Sequence, residues 1–328
     1  MVLFLSMLLA VSDAGTATAD AGVAGWRLSQ KLSKGSALRE ALVADLVADA
    51  GRDPMFRGEE PLTRADCDAL LDDPRAELVY GTKTVSIVAP SMLTRQRNDH
   101  IDLMKLFLLP ERLNAGAAFV KDHRASLQRA QDKHSVDYAV IIAILTWESK
   151  LGTITGDYRA FNALASQAFF VDDANSVALA SADEKKLLDD AAQKRRVTTI
   201  RERGRRNLVA LLRQCKARGI DALEVKGSWA GALGFPQFMP ASLQWADDGD
   251  GDGKIDLFTF DDAIFSIGRY LSEHHFSKDR KKAVWHYNHE DAYVEGVLAY
   301  ADALRSMISP DGGMPDGGLP AADAGLKR

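Results

Sequence analysis

From Ala139 to Leu145 every position is apolar, and the stretch Val136 to Gly152, VDYAVIIAILTWESKLG, holds some sixteen residues without a turn signal. That length favours a helix over a strand, and the lack of a polar face predicts a helix buried all round. Ser135 is placed to cap it, Asp137 suits its positive end, and Gly152 offers a stop. Upstream, Leu38, Leu42, Leu46 and Val47 recur at helical spacing until Asp53-Pro54. A shorter helix is predicted over Arg64 to Leu71 with Thr63 as N-cap. Thr82 to Val88 alternates weakly, as a short strand or extended segment does. Ile101 to Leu109 reads as a helix ended by Pro110. Asn114 to Lys133 predicts one amphipathic helix with Ala118, Phe119, His123, Leu127 and Ala130 on or near one face. Ala182 to Arg196, Ile200 to Arg218, Ala263 to His274 and Ala283 to Leu304 complete the helical set. The expected class is mainly α with little β.

Composition adds few constraints. The 328 residues are 46% hydrophobic and 27% charged, ordinary for one large globular domain or two. A net charge of −5 argues against a dedicated nucleic-acid binder. Cys67 and Cys215 have no metal-ligand spacing and are expected as free buried thiols. From Lys194 to Arg218 ten Lys/Arg face one acid, Glu202. That segment reads as a solvated helical hairpin or as a cationic lip for an anionic polymer. The N-terminus carries a compartment signal. Val2 to Val11 is apolar but too short to span a bilayer, and Ala17-Thr18-Ala19 resembles a cleavage site. We expect a signal peptide, although its first residues lack Lys and Arg. No cysteine follows, so a lipoprotein anchor is not indicated. The expected location is periplasmic or secreted, with no transmembrane helix after cleavage. The expected layout is residues 1–25 as signal and linker, 26–110 as an N-terminal helical layer, 111–308 as a catalytic domain and 309–328 as a disordered tail.

Three stretches carry candidate chemistry. Glu148 lies four residues after Ile144 and seven after Ile141, on their helix face. A carboxyl group at the end of a buried helix is costly to ionise, and a retained proton is what a general acid needs. A buried Glu held by an ion pair is the competing reading. Lys226 to Ser242, KGSWAGALGFPQFMPAS, packs three glycines, two prolines and three large aromatics into seventeen residues. Trp229, Phe235 and Phe238 offer flat apolar faces, and Ser228 and Gln237 offer hydrogen bonds, a mixture suited to a sugar; a tight buried loop filled by its own aromatics is the competing reading. Asp248 to Asp262, DGDGDGKIDLFTFDD, reads as an EF-hand-type calcium loop. Asp248, Asp250 and Asp252 hold its first three ligand positions, Gly253 turns it, and Lys254 supplies a backbone carbonyl. Thr259 stands where a bidentate Glu is usual, while Asp262 follows three residues later. His123, His286 and His289 read as core or surface residues rather than metal ligands.

In this order, TWESKLG, KGSWAGALGFPQFMPAS, the long acidic loop and HYNHEDAY resemble the lytic murein transglycosylases of the membrane-bound B type, glycoside hydrolase family 103. The similarity runs from about Pro110 to Leu304. It implies a lysozyme-like helical core with an added N-terminal helical layer, Glu148 as sole acid/base, and a sugar cleft lined by Ser228, Gln237, Tyr287, Asn288 and Tyr293. Phe238 joins them from its place in the motif. The resemblance also implies a lengthened calcium loop closed by an Asp at the position of Asp262. The implied partner is the glycan strand of peptidoglycan, and the implied reaction is cleavage of its β-1,4 MurNAc–GlcNAc bond with a 1,6-anhydro product. A muramidase using water, with Asp157 as a second carboxylate, and a non-catalytic calcium-dependent wall binder are the alternatives. Leu151 replaces the family's usual Trp, residues 276–285 are shortened, and residues 172–206 are longer than usual.

Overall fold

The computed structural model describes residues 27–52, 61–79, 102–181 and 190–308. The signal-like start, the Asp53-Pro54 break, Thr82 to Val88 and the C-terminal tail lie outside them. The N-terminal layer holds α1 (Leu28–Lys31), α2 (Ala37–Arg52) and α3 (Arg64–Asp72). Thr63 caps α3 as expected, accepting from the Asp66 amide. The layer is pinned from within by Arg39, fully buried, whose guanidinium reaches Asp68, Asp72 and the Leu32 carbonyl.

The main body follows. α4 (Leu103–Phe107), α5 (Pro110–Asp122) and α6 (Arg124–His134) lead into α7 (Tyr138–Ser149). A two-residue β1 (Tyr158–Arg159) precedes the long pair α8 (Ala160–Ser181) and α9 (Asp190–Arg218). β2 (Lys226–Gly227) pairs antiparallel with β1, Tyr158 opposite Gly227. A 3-10 turn (Pro240–Trp245) and three helices complete the chain: α10 (Phe260–Glu273), α11 (Arg280–Tyr287) and α12 (Asp291–Ile308). α7 is the axis of the core. Its residues from Tyr138 to Trp147 are all buried, with α5, α6, α10 and α12 packed around it. A helix apolar on every side needs neighbours on every side, and the fold supplies them.

Four expectations are corrected. The helix expected over Asn114 to Lys133 breaks at His123, whose backbone leaves helical geometry. Its ring sits 4.2 Å from Phe119 and 4.6 Å from Phe260, so tertiary aromatic contacts override the helical period. Ser135 does not cap α7; it ends α6 in a left-handed conformation, and Asp137 caps α7 by accepting from the Ala139 amide at 2.9 Å. Arg196 to Ile200 does not separate two helices, because α9 runs straight through. Ala283 to Leu304 is two helices, parted where Asn288 turns extended. Cys67 and Cys215 are free and buried, and burial pushes both thiols up to about 11.

Candidate active site

The end of α7 shapes the site. Lys150 and Leu151 both adopt left-handed backbone and Gly152 follows at φ +81°. The Leu151 amide closes back on the Leu145 carbonyl, and Ser149 Oγ accepts from the Gly152 amide. This tight reversal terminates the helix one residue after Glu148 and leaves that side chain partly open to solvent. Its carboxyl group is nonetheless enclosed enough that burial pushes its pKa up to about 8. Tyr293, fully buried near the start of α12, donates its hydroxyl to Glu148 Oε1 at 2.8 Å and holds that rise in check. Among the described residues, burial and the Tyr293 hydroxyl are what shift the Glu148 pKa. Asp157 is exposed, in the loop before β1.

The second wall comes from residues 226–242. Gly156 lets the loop after α7 close onto it, since a Cβ there would meet the Gly227 carbonyl at 2.4 Å. Ser228 is buried, and its Oγ accepts from the Ala230 and Ala232 amides, so it shapes the turn it stands in. Gln237 takes a left-handed backbone at φ +53°, and its Nε2 donates to the Gly234 and Thr155 carbonyls. The segment is thereby tied to the chain leaving Glu148. Tyr287 donates to the Pro236 carbonyl at 2.5 Å. Burial, then the Glu148 charge, keeps the phenols of Tyr287 and Tyr293 protonated far above the usual range. Asn288 is buried, and its Oδ1 has no hydrogen-bond partner among the described residues. A buried carbonyl oxygen without a donor is costly unless something else meets it.

Gln237, Phe238 and Tyr287 line a small, partly open cleft together with Met239, Ser242 and Tyr270. Of the predicted residues, the structure therefore joins Glu148 to Tyr293, and Gln237 and Phe238 to Tyr287. Ser228 and Asn288 stand buried in the adjoining turns. Met239, Ser242 and Tyr270 were not singled out from sequence. The first two lie inside the motif itself. Tyr270 is on the buried face of α10, its hydroxyl donating to the His286 carbonyl, and nothing in its local sequence marks it.

In the acidic loop, Asp248, Asp250 and Asp262 bring carboxylate oxygens within 4.8 Å of one another. Asp262 is buried, accepts from the Gly249 and Asp256 amides at 2.8 and 2.6 Å, and has its pKa raised by burial. Three converging carboxylate oxygens, one of them buried, suit a hard cation. Thr259, which stands where a bidentate Glu is usual, caps α10, accepting from the Asp262 amide. Asp252 lies outside the triad, exposed, and accepts from the Lys254 amide at 2.7 Å.

A mainly helical body of lysozyme-like architecture thus presents a desolvated carboxyl group, Glu148, against the buried Tyr293 and beside a tied glycine-rich loop. The transglycosylase SLT domain family matches residues 91–290, and the chain belongs to that family. It is 30% identical over 181 residues to the membrane-bound lytic murein transglycosylase B of Escherichia coli (strain K12), a match covering 55% of this chain and 43% of that protein. The chain thus matches less than half of that relative's length. Its fold is similar to the Escherichia coli lytic transglycosylase Slt35 solved in complex with calcium. There the TM-score is 0.56 at 19% identity, over 82% of this chain and 93% of that one. It is also similar to SltB3 from Pseudomonas aeruginosa in complex with NAG-anhNAM-pentapeptide. That match has TM-score 0.51 at 20% identity, over 91% and 84% of the two chains. No helix among the described residues is long and apolar enough to cross a membrane.

Proposed function

We propose that the protein is a lytic transglycosylase that cleaves the β-1,4 MurNAc–GlcNAc bond of peptidoglycan glycan strands and leaves 1,6-anhydro-MurNAc ends. The observation that carries this reading is the state of Glu148, a carboxyl group whose pKa burial raises to about 8 and which Tyr293 orients. Near neutral pH it holds its proton and gives it to the glycosidic oxygen as the bond from the anomeric carbon breaks. The paired-acid scheme would need a second carboxylate at the anomeric carbon, and the nearest following acid, Asp157, is exposed in the loop before β1. The N-acetyl group of the substrate is the remaining stabiliser. Glu148, now ionised, takes the proton of the muramic C6 hydroxyl as that oxygen bonds to the anomeric carbon. The proton count closes and no water is consumed.

Gln237, Phe238, Tyr287, Asn288 and Tyr293 bind and orient the sugar, with Ser228 holding the turn beside them. The orphan Oδ1 of Asn288 is matched to a donor on the glycan, such as an amide or hydroxyl. Asp248, Asp250 and Asp262, with Asp252 and the Lys254 carbonyl, are assigned to calcium. When bound, the ion neutralises the converging carboxylates and stiffens the loop. The site of action is extracytoplasmic, on the wall itself. The test is mass spectrometry of sacculi digested with the purified protein. Ends one water lighter than reducing ends are expected, and none from Glu148→Gln. Reducing ends would instead identify a muramidase, and sacculus binding without cleavage a wall-binding protein.

A further inference from the structure

Phe258 is 41% exposed, a large aromatic side chain left open to solvent in the acidic loop. It does not stand alone. Its ring meets the partly buried ring of Phe235 at 6.1 Å, nearly edge-on, and Phe235 lies 4.5 Å from Phe260. Phe235 in turn closes on the end of α7: a Cβ on Gly152 would touch the Phe235 ring at 3.1 Å. Gly152 is four residues from Glu148, and Phe235 is two residues from Gln237. The aromatic pair therefore continues the wall that holds the acid. At that point Leu151 offers only an aliphatic side chain.

The pair is also held rigidly. The Phe235 amide donates to the Leu257 carbonyl at 2.8 Å. The Phe258 amide donates to Asp256 Oδ1 at 2.9 Å, and the Asp256 amide donates to Asp262 Oδ2 at 2.6 Å. Phe258 is thus aimed by the same backbone that gathers the carboxylate triad. A flat apolar face pre-set at the rim of a sugar cleft meets what a glycan needs, because pyranose rings present C–H faces between their hydroxyl edges.

We propose that Phe235 and Phe258 form an outer glycan-binding platform, which stacks a sugar of the same strand beyond the residue cleaved at Glu148. The occupant is the glycan rather than a protein partner because Phe235 abuts the Gly152 turn that follows Glu148 and stands two residues before Gln237 of the cleft. This inference rests on the glycan-cleaving reading of that cleft. Phe258 is the residue to test, since its side chain is exposed and Phe235 is packed.

The experiment compares wild type, Phe258→Ala and Phe258→Trp, as full chains in calcium, on long glycan strands and on single tetrasaccharide-peptide units, each holding one MurNAc–GlcNAc bond. Phe258→Ala is expected to raise KM on long strands about tenfold, the scale of one lost aromatic contact. The loss falls on KM rather than kcat, is much smaller on single units, and is recovered by Phe258→Trp. The same substitution in a Glu148→Gln background is expected to weaken sacculus binding to a similar degree, with the melting temperature and its response to calcium preserved. An equal KM on long strands for wild type and Phe258→Ala overturns the platform. So does a rise that is the same on single units and tracks a fall in melting temperature. Should the wild type release no anhydro ends, the proposed reaction fails. The sacculus-binding comparison then decides the platform: weaker binding without Phe258 supports it and equal binding overturns it.

Discussion

Replacing Glu148 by Gln should make the protein more stable, and increasingly so as pH rises. In the unfolded chain this carboxyl group ionises around its ordinary 4.5; in the fold burial moves that to about 8. Across this window the native state holds a proton that the unfolded chain has released, so the folded protein loses stability as pH climbs from 4.5 to 8. Each pH unit inside the window is worth ~1.4 kcal/mol. The penalty is therefore about 1 kcal/mol at pH 5 and about 3 kcal/mol at pH 7, the latter a ceiling because the side chain keeps some solvent contact. Gln has no charge to bury, and its amide oxygen can still accept from Tyr293. Urea denaturation of both proteins from pH 5 to pH 8 measures the difference, and contributions of all other groups cancel in it. A gain for the variant that grows by about 2 kcal/mol between pH 5 and pH 7 is expected. A gap that stays flat with pH, or a variant less stable throughout, would refute the burial argument and with it the reason for a retained proton.

Tyr293→Phe removes the one hydrogen bond that favours the ionised carboxylate, so the alkaline fall of kcat/KM should move to higher pH while kcat drops about tenfold. An unmoved alkaline limb would count against the contact. Calcium at a hundredfold excess over its Kd should stabilise the wild type by about 3 kcal/mol in thermal melts. Asp262→Asn should abolish that response, since one of its two accepting oxygens becomes a donor facing a backbone amide. Arg39→Ala should cost about 3 kcal/mol in urea denaturation: it empties a fully buried site and takes the Arg39 partner from Asp72 and Asp68, though Asp68 keeps Arg64 and both can return to water. Gly296→Ala places a methyl group 2.3 Å from the Phe107 ring, itself stacked 3.7 Å from Trp147, and should cost about 2 kcal/mol by the same measurement.

Much of α7 is readable without coordinates because its signal is one-dimensional. An uninterrupted apolar run has few fates, and the residue that ends it inherits its burial. The acidic loop is readable for a similar reason, since its carboxylates lie within one turn-rich stretch. What sequence does not reveal is which distant helix supplies a partner. Tyr293 reaches Glu148 across 145 residues, and nothing in the period of α12 says that this face meets the end of α7. Tyr270 enters the cleft from a helix whose pattern records only burial. The two misplaced helix ends share a cause. At His123 and Asn288 the apolar period continues across the break, because both flanking helices face the same core, while ring contacts at His123 and the turn at Asn288 decide where the backbone leaves the helix. Thr259 misleads in the opposite direction. Counted as a ligand position it looks defective, whereas its hydroxyl is committed to capping α10.

The central claim is that Glu148 keeps its proton at neutral pH, and a carboxyl-carbon NMR titration of the glutamate-labelled protein reads this directly, with Glu148→Gln assigning the resonance. A midpoint near the value burial sets, about 8, is the predicted result. A midpoint between ~4 and ~5, where unburied glutamates titrate, would contradict it.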